Sequence, residues 1–262
     1  MVGKAKGGLG LIVTNYNGVG HVPKFLKWLS KSIDFFQEVV IVDDCSSDGS
    51  REQLMAAVDS YGFVEVITLS TNSGRPAAPR NTGIGALENV TRLVFLDIDD
   101  ELPKRYLEFL SQPAILSSCD VYTGVKLPLR SGLYDYEYAA DCRRYRVISK
   151  SQLAYKNHVV MSGSSSPLSV ARRKYFKSEP LEDWLFWIDV TRDKSWQGKV
   201  IRLLDVPIGY DTQPSLSPVK ITQVRRVLKR SSVVGMIYYA LGVLRLTVEE
   251  RVLLSRVRAR RD

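Results

Sequence analysis

The stretch EVVIVDDCSSDGS, residues 38–50, decides how the chain reads. Val39 to Val42 is an unbroken β-branched run, the pattern of a strand buried on both faces rather than one. It ends in two adjacent aspartates, Asp43 and Asp44, and then passes into Ser46, Ser47, Asp48, Gly49 and Ser50. Turn and helix-start chemistry accounts for Ser47 to Ser50. It does not account for two carboxylates emerging from an apolar strand. A carboxylate there can accept a hydrogen bond from a base N–H or a ribose hydroxyl.

The same grammar extends outward. Leu9 to Thr14, Val64 to Leu69 and Leu93 to Asp97 read as further buried strands. Between them, Val22 to Ile33 and Ser50 to Tyr61 carry apolar residues at helical spacing, and Arg80 to Asn89 reads as a third helix. Alternating strands and helices predict an α/β fold with a mainly parallel sheet covered on both faces. In such sheets ligands bind beyond the carboxyl ends of the strands. Those ends are polar: Thr14-Asn15-Tyr16-Asn17, Asp43-Asp44, Asn72-Ser73-Gly74-Arg75 and Asp97-Ile98-Asp99-Asp100.

The second half is less regular. Tyr134 to Tyr145 is rich in tyrosine and charge, Ser162 to Ser166 reads as a small polar loop, Leu181 to Val190 as an amphipathic helix, and Gly209 to Pro218 as a Pro/Ser loop. There is no internal repeat.

With 262 residues, 45% of them hydrophobic, the chain can bury a sizeable core, which excludes a disordered or fibrous protein. Cys45, Cys119 and Cys142 are odd in number and widely spaced, and with only His21 and His158 they make no zinc pattern. Reduced thiols in the cytoplasm are the simplest reading. The apolar run Leu9 to Val13 is too short for a signal segment, so no secretion is expected. No stretch reaches the roughly 18 apolar residues of a membrane-spanning helix, Val233 to Leu244 coming nearest.

Several residues could carry chemistry. If the chain stays extended, period-two alternation puts Asp97 and Asp99 on one side, where paired carboxylates suit Mg²⁺ or Mn²⁺. Asp100 can instead cap a helix beginning near Pro103, with Glu101 in its first turn. Arg80, opening its helix, can pair with a diphosphate or simply be a solvated surface arginine. Glu182 and Asp183 lie beside Trp184 and Trp187, where a partly desolvated carboxylate gains basicity. Acids at a helix start are also common.

Taken in order, LIVTNYN, VVIVDDCSSDGS, NSGRPAAPRNTGIGAL, FLDIDDELP and EDW resemble the family 2 glycosyltransferases of the GT-A fold, over about residues 9–217. The resemblance implies an inverting transfer of a sugar from a nucleotide-sugar donor, a UDP-sugar by family habit, to a hydroxyl of a polysaccharide or glycolipid. It implies that Thr14, Asn15, Asp43, Asp44, Gly74, Arg80 and Asp97 bind the donor nucleotide, that Asp99 holds Mn²⁺ or Mg²⁺ on the diphosphate, and that Asp183 is the general base. Asp100, Glu182, Trp184 and Gln213 join the candidate set. Two departures stand out. Where relatives have a histidine in a late Tyr-Arg-x-His loop, this chain has Tyr210-Asp211-Thr212-Gln213, and the usual approach to the base is shortened to Lys177-Ser178-Glu179-Pro180-Leu181.

The expected organisation is a catalytic domain, residues 1–218, with a nucleotide half (1–110) and an acceptor half (111–218), followed by a basic helical tail, 219–262. Of the net charge of +9, residues 221–262 hold +7, with ten Lys or Arg against three acids, leaving the body near neutral. Interleaved apolar positions and arginines suit an anionic membrane surface, here the cytoplasmic face, where a lipid-linked acceptor would be met. Packing on the catalytic domain or on another subunit explains them equally well. Nucleic acid has less support, since charge is present without a reading motif. Two other functions stay open: a sugar-1-phosphate nucleotidyltransferase, against which stands the lack of a basic Gly-rich loop after strand one, and a degenerate, non-catalytic module in a membrane-associated assembly.

Overall fold

A computed structural model describes residues 7–59, 61–128 and 142–210. The first half follows the strand and helix alternation: β1 (Gly8–Asn15), α1 (Val22–Ser32), β2 (Phe36–Asp43), α2 (Ser50–Val58), β3 (Val64–Thr68), α3 (Ala77–Ala86) and β4 (Val90–Asp97). After α4 (Lys104–Leu110) and α5 (Pro113–Leu116) come β5 (Val121–Pro128), β6 (Tyr145–Ile148), α6 (Lys150–Tyr155), β7 (Ser165–Pro167), α7 (Leu168–Ala171), α8 (Glu182–Arg192) and β8 (Val200–Tyr210). One sheet of eight strands runs through both halves in the order β3-β2-β1-β4-β7-β5-β8-β6. The mainly parallel sheet is therefore as expected. β1 lies parallel between β2 and β4, and Thr14 stands level with Val42 on one side and Asp97 on the other.

Period two along β1 explains the layers. Leu9, Leu11 and Val13 face one core with Phe25, Trp28 and Leu29 of α1. Ile12 faces the other, with Val40, Val42 and Phe95 beside Ala77 and Ile84 of α3. α3 lies close to the sheet because Gly83 has no side chain: a Cβ there would stand 2.4 Å from Ile12 Cγ2.

Several boundaries differ from the sequence expectation: α2 ends at Val58 rather than Tyr61, and α1 and α8 shift by one or two residues. α3 begins at Ala77 rather than Arg80, because Pro79 falls in the first turn, where a missing N–H costs nothing, and it stops at Ala86, where Leu87 turns extended. Gly209 and Tyr210 belong to β8 rather than to a loop. The largest difference is at Ser162 to Ser166, where Ser162, Ser164, Ser165 and Ser166 are all 0% exposed. Their polar backbone is buried because it is paired. Gly163 N–H donates to Phe95 O at 2.6 Å, Phe95 N–H to Ser164 O at 3.0 Å, and β7 joins β4 as an antiparallel strand. Gly163 has φ 79°, and a Cβ there would meet Ile208 Cδ1 at 2.4 Å.

Arg92, near the start of β4, fastens the halves together. It is fully buried and donates to the carbonyls of Ile115 (2.9 Å), Ser118 (2.6 Å) and Asp120 (3.1 Å). Its guanidinium lies 5.1 Å from the centre of the Tyr122 ring. Burial lowers it to about 10, so it stays a cation at neutral pH.

Gln213, most of Tyr134 to Tyr145 and the basic tail lie outside the described residues. Among the described residues no helix is long and apolar enough to cross a membrane. The three cysteines are free thiols.

Candidate functional site

The chain leaves β1 toward β2 on one side and returns to β4 on the other, so a crevice opens beyond the carboxyl ends of β1 and β4. Thr14 and Asp97 meet across it, with Thr14 Oγ1 donating to Asp97 Oδ1 at 2.7 Å.

Beneath this mouth lies a buried polar layer. Asp43 is 0% exposed and accepts from Asn15 Nδ2 (2.6 Å), Ser46 N (2.9 Å) and Ser46 Oγ (2.5 Å). Asn15 Nδ2 also reaches Ser50 Oγ at 2.9 Å. Asn15 and Asp43, expected in the pocket lining, are thus buried under it and tie β1 and β2 to the start of α2. Asp44 is 4% exposed, its two oxygens accepting from Ser73 N (2.9 Å) and Ser73 Oγ (2.8 Å). Each carboxylate oxygen has a second lone pair, so Asp44 can still accept a ligand N–H. Gly74 occupies the left-handed region (φ 71°), with its N–H on Asn72 Oδ1 at 2.6 Å. Non-glycine residues in that costly region also gather at these loops: Asn17 (φ 47°) after β1, Cys45 (φ 61°) after β2, and Leu181 (φ 64°) just before Glu182. Beside the turn at Asn17, Tyr16 is 54% exposed, an aromatic face that the sequence pattern marked only as part of a polar strand end.

The end of β4 corrects two expectations. The chain does not stay extended to Asp99: Ile98 and Asp99 form a turn closed by Asp100 N–H on Asp97 O at 2.9 Å. Asp100 is not a helix cap either. α4 starts at Lys104 behind Pro103, with no side-chain cap and no acid in its first turn, while Asp100 is 2% exposed and Glu101 pairs with Lys24 at 3.7 Å. Asp97 and Asp99 are both part-exposed. Among the described residues no group of three His, Cys, Asp or Glu forms a ready cage. Part-exposed carboxylates nevertheless suit Mg²⁺ or Mn²⁺, which bind through one or two of them and complete their shell with water and substrate phosphate oxygens.

Arg80 is neither solvated nor at a helix start. It is the fourth residue of α3, 4% exposed, donating to Asp97 Oδ1 at 3.2 Å and to Glu182 Oε1 at 3.0 Å. Its guanidinium also lies 5.6 Å from the centre of the Phe176 ring. It therefore joins β4 to the acidic pair of α8, 102 positions away in sequence. Burial and the adjacent Asp183 raise the Glu182 carboxyl above its ordinary range, against the pull of Arg80. Asp183, part-exposed, accepts from Asn157 Nδ2 at 2.9 Å. Trp184 turns away from the crevice: it is 2% exposed, with its indole N–H on Leu153 O at 2.6 Å. Ser73 and Asn157 are the partners that periodicity could not reveal, since each holds its carboxylate across a long sequence separation.

The family model described as "Glycosyl transferase family 2" matches residues 11–178. The poly(ribitol-phosphate) β-N-acetylglucosaminyltransferase TarS of Staphylococcus aureus is 36% identical over 104 residues, 37% of this chain and 17% of that protein. The chain thus aligns with only a small part of this relative. The crystal structure of S. aureus TarS in complex with UDP-GlcNAc superposes with a TM-score of 0.59 at 21% identity, over 84% of this chain and 65% of that one. The mannosyltransferase PcManGT of Pyrobaculum calidifontis, in complex with GDP-Man and Mn²⁺, gives 0.62 at 16% identity, over 87% and 66%. These likenesses show the fold.

Proposed function

Since the chain belongs to glycosyl transferase family 2 and has the GT-A fold, we propose that it moves a sugar, with inversion, from a nucleotide-sugar donor to a hydroxyl of a cell-wall polymer. UDP-N-acetylglucosamine and a poly(ribitol phosphate) acceptor are the first candidates, from what the S. aureus relative is named for and bound to. A sugar-1-phosphate nucleotidyltransferase finds no support in the family match, and a degenerate module would have little use for the arrangement around Arg80.

The single observation that carries the reading is the Arg80 bridge. One buried guanidinium joins Asp97 at the donor crevice to Glu182, the residue preceding Asp183. That bridge supports reading the donor crevice and the acidic pair as two walls of one site. In this reading Asp44 accepts a nucleobase N–H with Tyr16 at the rim, Thr14 and Gly74 border the nucleotide, and Asp97 faces the ribose side. Asn15 and Asp43 support the pocket floor, and Arg80 positions the two acids rather than touching the diphosphate. Asp99, with Asp97 beside it, would hold the divalent ion, which when bound neutralises charge on the departing diphosphate.

Asp183 then takes the proton of the acceptor hydroxyl as that oxygen attacks the anomeric carbon. The bond from the anomeric carbon to the diphosphate oxygen breaks, its electron pair leaves with the nucleoside diphosphate, and the configuration at carbon inverts. Residues 1–110 serve the donor and 111–218 the acceptor. The charge of residues 219–262 supports peripheral attachment to the cytoplasmic face of a membrane, which flotation with anionic and neutral vesicles would test.

A thermal-shift screen of UDP-, GDP- and TDP-sugars with and without Mn²⁺ or Mg²⁺ tests the donor, because a ligand of the native state raises its melting temperature. NMR of the product then tests the stereochemistry: an α-linked donor is expected to give a β-linked product, and an α-linked product rules out direct displacement.

A further inference from the structure

Two neighbouring carboxylates begin α8, and different groups hold them. Glu182 is gripped by Arg80. Asp183 has one bonded partner among the described residues, Asn157, which follows α6. The two ends of the Asn157 side chain do separate work. Its Oδ1 accepts Val159 N–H at 3.1 Å, a local turn that fixes the side chain and leaves its amide nitrogen aimed at Asp183 Oδ2, 2.9 Å away.

The frame around this contact is stiff. Ser149 and Gln152 close a capping box at the start of α6, and Trp184 N–H on Leu153 O fastens α8 to α6. The start of α8, by contrast, has no side-chain cap and follows Leu181 in the left-handed region, so it does little to orient Asp183.

We infer that Asn157 is the positioning residue that aims Asp183 at the acceptor hydroxyl, an inference resting on the reading of Asp183 as base. Donation to Oδ2 fixes the carboxylate plane and leaves Oδ1 to receive the proton.

Asn157→Asp separates this role from a structural one. The new carboxylate can still accept Val159 N–H and hold the turn, but it loses the donor and repels Asp183. With UDP-N-acetylglucosamine, UDP-glucose or UDP-galactose as donor and poly(ribitol phosphate) as acceptor, the variant should lose about 100-fold in the kcat of transfer, as expected for a displaced catalytic group. Donor KM should stay within about twofold. Asn157→Ser, whose hydroxyl is too short to reach Asp183, should lose a similar factor and stands in if the Asp variant fails to fold. A wild-type kcat in either variant overturns the inference. Asp183→Asn, run alongside, separates the two claims: if it transfers sugar normally the base reading falls, whereas if it is inactive while Asn157→Asp is normal only the positioning role falls. Should none of the donors turn over in the wild type, crystals of Asn157→Asp still decide, a displaced Asp183 supporting the inference and an unmoved one overturning it.

Discussion

The two ends of β4 are each served by a buried arginine, and the partners differ in kind. Arg92, at the start, is surrounded by the neutral carbonyls of Ile115, Ser118 and Asp120. Arg80, at the far end some 16 Å along the strand, is held by the carboxylates of Asp97 and Glu182. Carbonyl dipoles do not titrate, so the Arg92 end is a permanent joint. Carboxylates carry charge and have lone pairs to offer a cation or a hydrogen-bond donor, so the Arg80 end keeps chemistry that the Arg92 end lacks. A strand that is fixed at one end and chemically adjustable at the other suits a site built beyond its carboxyl terminus.

The sharpest way to break this contrast is Arg92→Met. It leaves several buried carbonyls without donors and should cost on the order of 3 kcal/mol, a fall of roughly 6–12 °C in melting temperature for a chain of this size. Donor affinity, measured on the folded fraction, should not move. A stable Arg92→Met would show that the joint is dispensable.

Next in size is a pH effect confined to the site side. Burial, reinforced by Arg202, Lys156 and Arg146, lowers His158 beside Asn157 to about 3. The folded protein therefore keeps it neutral, while the unfolded chain protonates it near 6.5. Below about pH 6.5 the unfolded state binds more protons, so stability falls with acidification down to about pH 3, by about 2 kcal/mol at pH 5. Denaturant melts of wild type and His158→Gln between pH 5 and 8 should diverge in that direction. Arg92 stays charged throughout the range.

Arg80→Met should cost less stability than Arg92→Met, about 1–2 kcal/mol, because Glu182 can take up a proton and Asp97 can turn to water. Its transfer rate should nonetheless fall at least about tenfold. If instead it melts as far below wild type as Arg92→Met and its folded fraction transfers normally, the contrast is reversed.

The smallest effect is expected at Gly83→Ala, where better helix propensity opposes a Cβ 2.4 Å from Ile12 Cγ2. A net loss of about 1 kcal/mol follows if overpacking wins. A gain would show that α3 can move off β1.

What the sequence made legible was local. β-Branched runs such as Val39 to Val42 marked the strands, and the polar residues after them marked the crevice. Asp97 to Asp100 stood out as a polar strand end, but the turn at Ile98 and Asp99 did not, because alternation assumes an extended chain. Ser162 to Ser166 looked like a loop because serine is polar; its burial depends on β4 and β5 pairing with it from either side. Arg80 read as a diphosphate partner or a solvated arginine, and its acidic partners stayed hidden because they come from β4 and α8, and no periodicity reports a partner 102 positions away. Asn157 gave no signal for the same reason.

Asp183→Asn probes the role of Asp183 as base beside a donor crevice bounded by Asp97. UDP-N-acetylglucosamine binding with Mn²⁺ and transfer to poly(ribitol phosphate) would be measured on one preparation. Donor affinity should stay within about twofold of wild type while transfer falls by about 10²- to 10⁴-fold, the usual contribution of a general base. Transfer at the wild-type rate by a variant that binds donor normally would contradict that role.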